Sequence, residues 1–132
     1  MTSQRLLLDT SAYSGFNRGD KRLKDYFSTN NEILVPLITI GELRAGFALG
    51  TMQDQNEALL QKLLDSPNVN TVTVSDKTTK LFAAIFKQLK LAGTPINTND
   101  MWIAALALEH DCLLVTLDSD FNSVQDLLVA QI

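Results

Sequence analysis

Short apolar runs alternate with longer helical patterns along this chain, and that alternation restricts it to an α/β fold on a mainly parallel sheet. The run at 6–8 stops at Asp9, the run at 33–35 stops at Pro36, and 112–117 is nearly all apolar up to Asp118. Runs of this kind suit strands buried between two layers of helices. Residues 69–74 alternate Val with Asn and Thr, as a strand with one wetter face does, and 127–130 is a candidate fifth strand. Helices are predicted over 20–27, 40–49, 53–64, 76–91 and 99–109. In the fourth of these, Leu81, Phe82, Ile85, Phe86 and Leu89 share one side while Lys77, Lys80, Lys87 and Lys90 gather on the other. Gly41, Ala45, Gly46 and Ala48 are predicted to let the second helix approach a neighbour closely, with Gly50 as its C-terminal stop.

A chain of 132 residues with 45% hydrophobic content suits one domain spanning 1–132. No stretch approaches the roughly 18 apolar residues of a membrane span, and the segment at 1–8 is too short for a signal peptide, so a soluble, cytoplasmic protein is expected. The lone Cys112 has no disulfide partner and reads as a small buried hydrophobe.

The acidic residues carry the chemistry. Asp9 follows the first strand, Glu42 is expected in the first helical turn after the second, and Asp118 follows the last, so a parallel sheet would project all three from one end. That end is where open α/β sheets bind ligands. Asp100 has no strand leading into it and opens a helix after Gly93-Thr94-Pro95. Each acid also has a structural reading. Thr39 and Glu42 have the spacing of a capping box, Asn97 to Asp100 resembles a looser one, Asp9 could cap the turn through Thr10 and Ser11, and Asp118-Ser119-Asp120 could be turn chemistry. Jointly, however, four or five carboxylates in one crevice would repel one another and raise their own pKa values, and a cation makes such an arrangement sensible. Oxygen donors without accompanying His or Cys suit Mg²⁺ or Mn²⁺, and the lone His110 and lone Cys112 argue against zinc.

The formal charge of −4 runs against a nucleic-acid partner. Setting aside Asp9, Glu42, Asp100, Asp118 and Asp120, however, leaves ten of the 15 acids against 11 Lys plus Arg, so the remainder is near neutral. Bound divalent cations would tip it positive.

Four segments together resemble the successive signatures of PIN-domain ribonucleases: Leu8-Asp9-Thr10-Ser11-Ala12, Ile40-Gly41-Glu42-Leu43-Arg44-Ala45-Gly46, Asn99-Asp100-Met101-Trp102-Ile103-Ala104-Ala105 and Val115-Thr116-Leu117-Asp118-Ser119-Asp120-Phe121. More narrowly, the chain resembles VapC toxins of type II toxin–antitoxin modules, over essentially its whole length. The resemblance implies a three-layer α/β/α sandwich around a mainly parallel sheet, a homodimer, and a cognate antitoxin that blocks the active groove. It carries the acidic quartet onto Asp9, Glu42, Asp100 and Asp118, with Asp120 at a less uniform acidic position. Ser11 and Thr116 match supporting hydroxyls. The implied reaction is Mg²⁺-dependent hydrolysis of RNA, leaving a 5′-phosphate and a 3′-hydroxyl. On this reading Asp9 and Asp100 ligate the metal, Asp118 holds the same or a second ion, and Glu42 orients or deprotonates the attacking water.

Arg18, Lys21, Arg22 and Lys24 leave the Asp9 end of the sheet and are candidate phosphate contacts, as is Arg44, two residues after Glu42. Phe16, Phe47 and Trp102 are candidates for stacking or for core and interface packing. His110 is expected at a helix C-terminus. Two other functions remain: a PIN-like binding or scaffold module without catalysis, and a Mg²⁺-dependent phosphatase or phospho-acceptor domain. Against the latter, no lysine follows Lys90 and no aspartate stands two residues after Asp9.

Overall fold

Four strands, β1 (Arg5–Leu8), β2 (Glu32–Pro36), β3 (Val69–Val72) and β4 (Leu113–Val115), pair in parallel in the order β3-β2-β1-β4. The structure is a computed structural model that describes residues 2–132; Met1, the first residue of the segment weighed as a signal peptide, lies outside the described residues. Between the strands run α1 (Thr10–Asn17), α2 (Leu37–Leu49), α3 (Gln53–Leu64), α4 (Asp76–Ala92) and α5 (Thr98–Glu109).

Successive side chains of a strand point to opposite faces, and this sequence is apolar on both. Leu7, Leu34 and Leu114 meet the buried side chains of α4 and α5, among them Ile85, Leu89, Ile103 and Leu106. Leu6, Leu8, Ile33, Val35 and Val115 meet Ala12, Tyr13, Ile40, Leu43 and Leu60 from α1, α2 and α3. The result is the expected three-layer α/β/α sandwich. Because β1 has β2 on one side and β4 on the other, the strand order reverses at β1. A crevice opens there at the carboxyl ends of β1 and β4.

Several local expectations need correction. Helix α1 was not foreseen, because Thr10, Ser11, Ser14 and Gly15 are poor helix formers. Packing supplies what propensity lacks: Ala12, Tyr13 and Gly15 are buried, and a Cβ on Gly15 would come within 2.8 Å of the Leu117 and Leu23 methyl carbons. The segment Lys21–Phe27 is a 3-10 helix, with Asp20 as its cap. Helix α2 starts at Leu37, directly after Pro36, so Glu42 lies in its second turn and the Thr39–Glu42 capping box does not form. The close approach predicted for α2 does not occur at its glycines, since among the described residues nothing stands within 4 Å of a Cβ built on Gly41 or Gly46, and Ala45 and Ala48 are exposed. Its buried side is Thr39, Ile40 and Leu43 instead. Gly50 does end α2. Strand β3 stops at Val72, and the fifth strand reduces to a single parallel bridge between Leu114 and Val129. On α4, Phe86 is half exposed while Ile85 and Leu89 are buried, so the apolar face is wider than the core it meets. Gly93 closes α4 in the left-handed region at φ 70°, with its N–H directed to the Leu89 and Lys90 carbonyls.

Thr39 is fully buried, and its hydroxyl donates to the Leu8 carbonyl at 3.1 Å, tying α2 to the end of β1. Thr39→Val keeps the volume and removes the donor, so it is expected to cost about 1 kcal/mol. The measurement is the urea midpoint at constant m-value. An unchanged midpoint would mean that this bond contributes nothing.

Candidate active site

Asp9 ends β1 and caps α1. Its Oδ1 accepts from the Ala12 N–H at 2.9 Å and lies 2.8 Å from the Ser11 hydroxyl, and its Oδ2 accepts from the Thr116 hydroxyl at 2.5 Å. Both hydroxyls are themselves held, because Leu117 N–H donates to Ser11 Oγ at 2.9 Å and Asp118 N–H donates to Thr116 Oγ1 at 3.0 Å. Three donors on a carboxylate with about four lone-pair positions leave room for one more positive partner. The side chain is buried, with 4% of the residue exposed, and burial raises its pKa against the hydrogen bonds from Thr116, Ala12 and Ser11.

The other acids converge on the same crevice from different elements. Glu42 reaches in from α2, with Oε1 accepting from Thr10 Oγ1 at 3.0 Å. Asp118 caps the 3-10 helix Ser119–Ser123, its Oδ1 accepting from Asp120 N–H at 2.9 Å. Asp100 sits in the first turn of α5, where Asn97 supplies the cap by accepting from Asn99 N–H. Its pKa is pushed up to about 6, first by burial and then by the negative charges of Asp118, Asp9, Glu42 and Asp120. The four other acids read from the sequence therefore all act electrostatically on Asp100.

Among the described residues no three Asp, Glu, His or Cys side chains stand in position to ligate one ion directly. The donor chemistry nevertheless fits a hard cation. Every nearby ligand atom is an oxygen, and magnesium characteristically keeps several waters and few direct carboxylates. Softer ligands are elsewhere: His110 caps the C-terminus of α5, and burial pushes the Cys112 thiol up to about 11.

The basic candidates divide. Arg22 lines a cleft of about 160 Å³ whose other walls include Thr116, Asp118, Ser119, Asn122 and Gln131. Asp20 grips its guanidinium through contacts of 3.0 and 2.6 Å, and that hydrogen bonding holds the Asp20 carboxyl down at about 2. Arg18 and Lys21 are exposed near the same segment. Arg44 is not brought to the crevice, because α3 captures it through Glu57 at 2.7 Å. Of the aromatics, Phe16 stacks on Phe27 and Trp102 on Phe82. The sequence reading singled out neither Thr10 as the partner of Glu42 nor Asn122 and Gln131 in the cleft wall. A hydroxyl directly after Asp9 was the one available signal.

An acid whose folded pKa lies above its ordinary value destabilises the fold when ionised. For Asp100 that cost is full above about pH 6 and disappears as pH falls towards the ordinary value of 3.8. In EDTA, Asp100→Asn is therefore expected to melt higher than the parent at pH 7–8, with the gap closing between pH 6 and 4. A variant that melts lower throughout would remove the repulsion argument.

The sequence matches the family described as "PIN domain" over residues 6–127. It is 27% identical over 118 residues to "Ribonuclease VapC5" of Mycobacterium tuberculosis, covering 89% of this chain and 86% of that protein. It is 33% identical over 122 residues to "Plasmid stability protein StbB" of Pseudomonas syringae pv. tomato, covering 86% and 88% of the two chains. Among solved structures, the crystal structure of VapBC2 from Rickettsia felis bound to a DNA fragment from their promoter superposes with TM-score 0.82. That match has 23% identity and covers 96% of this chain and 97% of the other; it speaks to the fold.

Proposed function

The chain belongs to the PIN domain family, and from that premise we propose that it is a divalent-metal-dependent endoribonuclease, the toxin of a toxin–antitoxin pair. The observation that carries this reading is the electrostatic coupling of Asp100 to Asp9, Glu42, Asp118 and Asp120 at the carboxyl ends of β1 and β4. The ribonuclease name of the mycobacterial relative and the VapBC complex of the rickettsial neighbour support it.

Asp9, Asp100 and Asp118 would hold Mg²⁺ or Mn²⁺, partly through water. When bound, such an ion lowers the pKa of an attacking water and offsets charge on the reacting phosphate. Glu42 takes the water's proton on a carboxylate oxygen, while Thr10 fixes the side chain through Oε1. The water oxygen bonds to phosphorus and the P–O3′ bond breaks, leaving a 5′-phosphate and a 3′-hydroxyl once the leaving oxygen is protonated by solvent. Ser11 and Thr116 hold Asp9 in one rotamer, and Asp118 is held through its own N–H on Thr116. Arg18 and Lys21 would meet the RNA backbone, and Arg22 beside them would meet the RNA from the cleft wall. Arg44 stays with Glu57 and braces α2 against α3.

The nuclease unit spans 1–132 on this reading, works in the cytoplasm as a homodimer, and is silenced by an antitoxin protein. Among the described residues no helix is long and apolar enough to cross a membrane.

Incubation with total RNA is expected to give cleavage that EDTA abolishes and Mg²⁺ restores. Asp9→Asn and Asp100→Asn should each lower kcat by about a hundredfold or more with the fold intact by circular dichroism. Cleavage that persists in EDTA would refute the metal assignment. Thr10→Val is expected to lower kcat about tenfold, with Thr10→Ser restoring it, because a group that orients a catalytic side chain typically carries that much. In a Glu42→Gln background the Thr10→Val effect should vanish. A full effect there would place Thr10's role elsewhere.

A further inference from the structure

Resting on the reading of the chain as an RNA hydrolase, we propose that the cleft beside Asp118 seats the nucleotide next to the scissile phosphate and selects which base is accepted there. The cleft shares Thr116 and Asp118 with the carboxylate crevice, so an RNA strand held at the acids runs directly into it. Its lining supplies hydrogen-bonding groups of both senses: the Ser119 hydroxyl, the Asn122 and Gln131 amides and the Arg22 guanidinium. No aromatic ring lines it. A base entering it is therefore read through hydrogen bonds to its edge and not by aromatic stacking, and edge contacts are what distinguish one unpaired base from another.

Two features hold parts of this wall in place. Arg22 is fixed on Asp20 through Nε and Nη2, which leaves Nη1 for a further acceptor, and the Arg22 N–H adds a third bond at 3.0 Å. The opposite wall is tied to the sheet, since Ala130 N–H donates to the Leu114 carbonyl and Leu114 N–H to the Leu128 carbonyl, both at 2.9 Å. Gln131 is thereby set beside the end of β4. Charge points the same way. The Asp20 pairing neutralises Arg22 at long range, and the chain carries −4 overall, so this cleft is a short-range reader and not a general phosphate grip.

The test digests a random-sequence single-stranded RNA pool with the Mg²⁺-supplemented protein and maps the bases flanking each cut. The parent is expected to prefer particular bases at one flanking position, and Asn122→Ala and Gln131→Ala to flatten that preference by about tenfold while KM rises more than kcat falls. Cutting with an unchanged preference in both variants would overturn the proposal, as would a parent with no preference. A second readout needs no cleavage: a short RNA added to the Asp100→Asn protein should shift the side-chain amide NMR signals of Asn122 and Gln131. If the parent cuts no RNA while those signals move, the nuclease reading falls and takes the seat beside a scissile phosphate with it, leaving a cleft that binds RNA. If it cuts while they stay still, or if they respond to a partner peptide and not to RNA, the cleft proposal falls alone.

Discussion

Repulsion among carboxylates is the interaction around which this molecule is arranged. Asp100 alone, at the start of α5, feels the negative charge of four other acids, and burial adds to its cost. A fold gains nothing from such a cluster by itself, because unpaired like charges in a half-buried crevice oppose folding. It gains if a divalent cation enters, since ion binding to the native state then offsets the repulsion. On the proposed reading the arrangement trades stability for a binding site, a trade common where strain collects at functional positions.

The scaffold keeps the acids together by distributing them over elements that cannot drift apart. Asp9 is locked by hydroxyls from α1 and from the loop after β4, and those hydroxyls are locked in turn by backbone N–H groups. Thr39 fastens α2 to the end of β1, and Thr10 fastens Glu42 to α1. The parallel order β3-β2-β1-β4 then places the carboxyl ends of β1 and β4 side by side. Chemistry and topology are joined at that pair of strands.

Much of this was legible in the sequence. The apolar runs at 6–8 and 33–35 are buried on both faces and had to lie between helical layers, and the acids ending the first and last runs had to share a sheet end. Asp100 was legible only through the family pattern, because no strand leads to it and its place depends on how α5 packs on α4. Helix α1 was hidden, since its serines, threonine and glycine disfavour helix, and the Asp9 cap together with burial of Ala12, Tyr13 and Gly15 stabilises it. The Thr39–Glu42 spacing suggested a local capping box, whereas both side chains spend their hydrogen bonds on distant partners, Leu8 and Thr10. Arg44 illustrates the same limit: proximity to Glu42 in the chain gave no warning that Glu57 of α3 would claim it. Local patterns set the elements; tertiary contacts decided which side chains were free to act.

The central claim is that a divalent ion sits among Asp9, Asp100 and Asp118. Manganese titration followed by paramagnetic broadening of backbone amide signals reads this most directly. The account expects broadening centred on Asp9, Asp100 and Asp118 at substoichiometric ion, spreading to Thr10 and Thr116 and sparing His110. Broadening centred anywhere else, or none at stoichiometric ion, would contradict it.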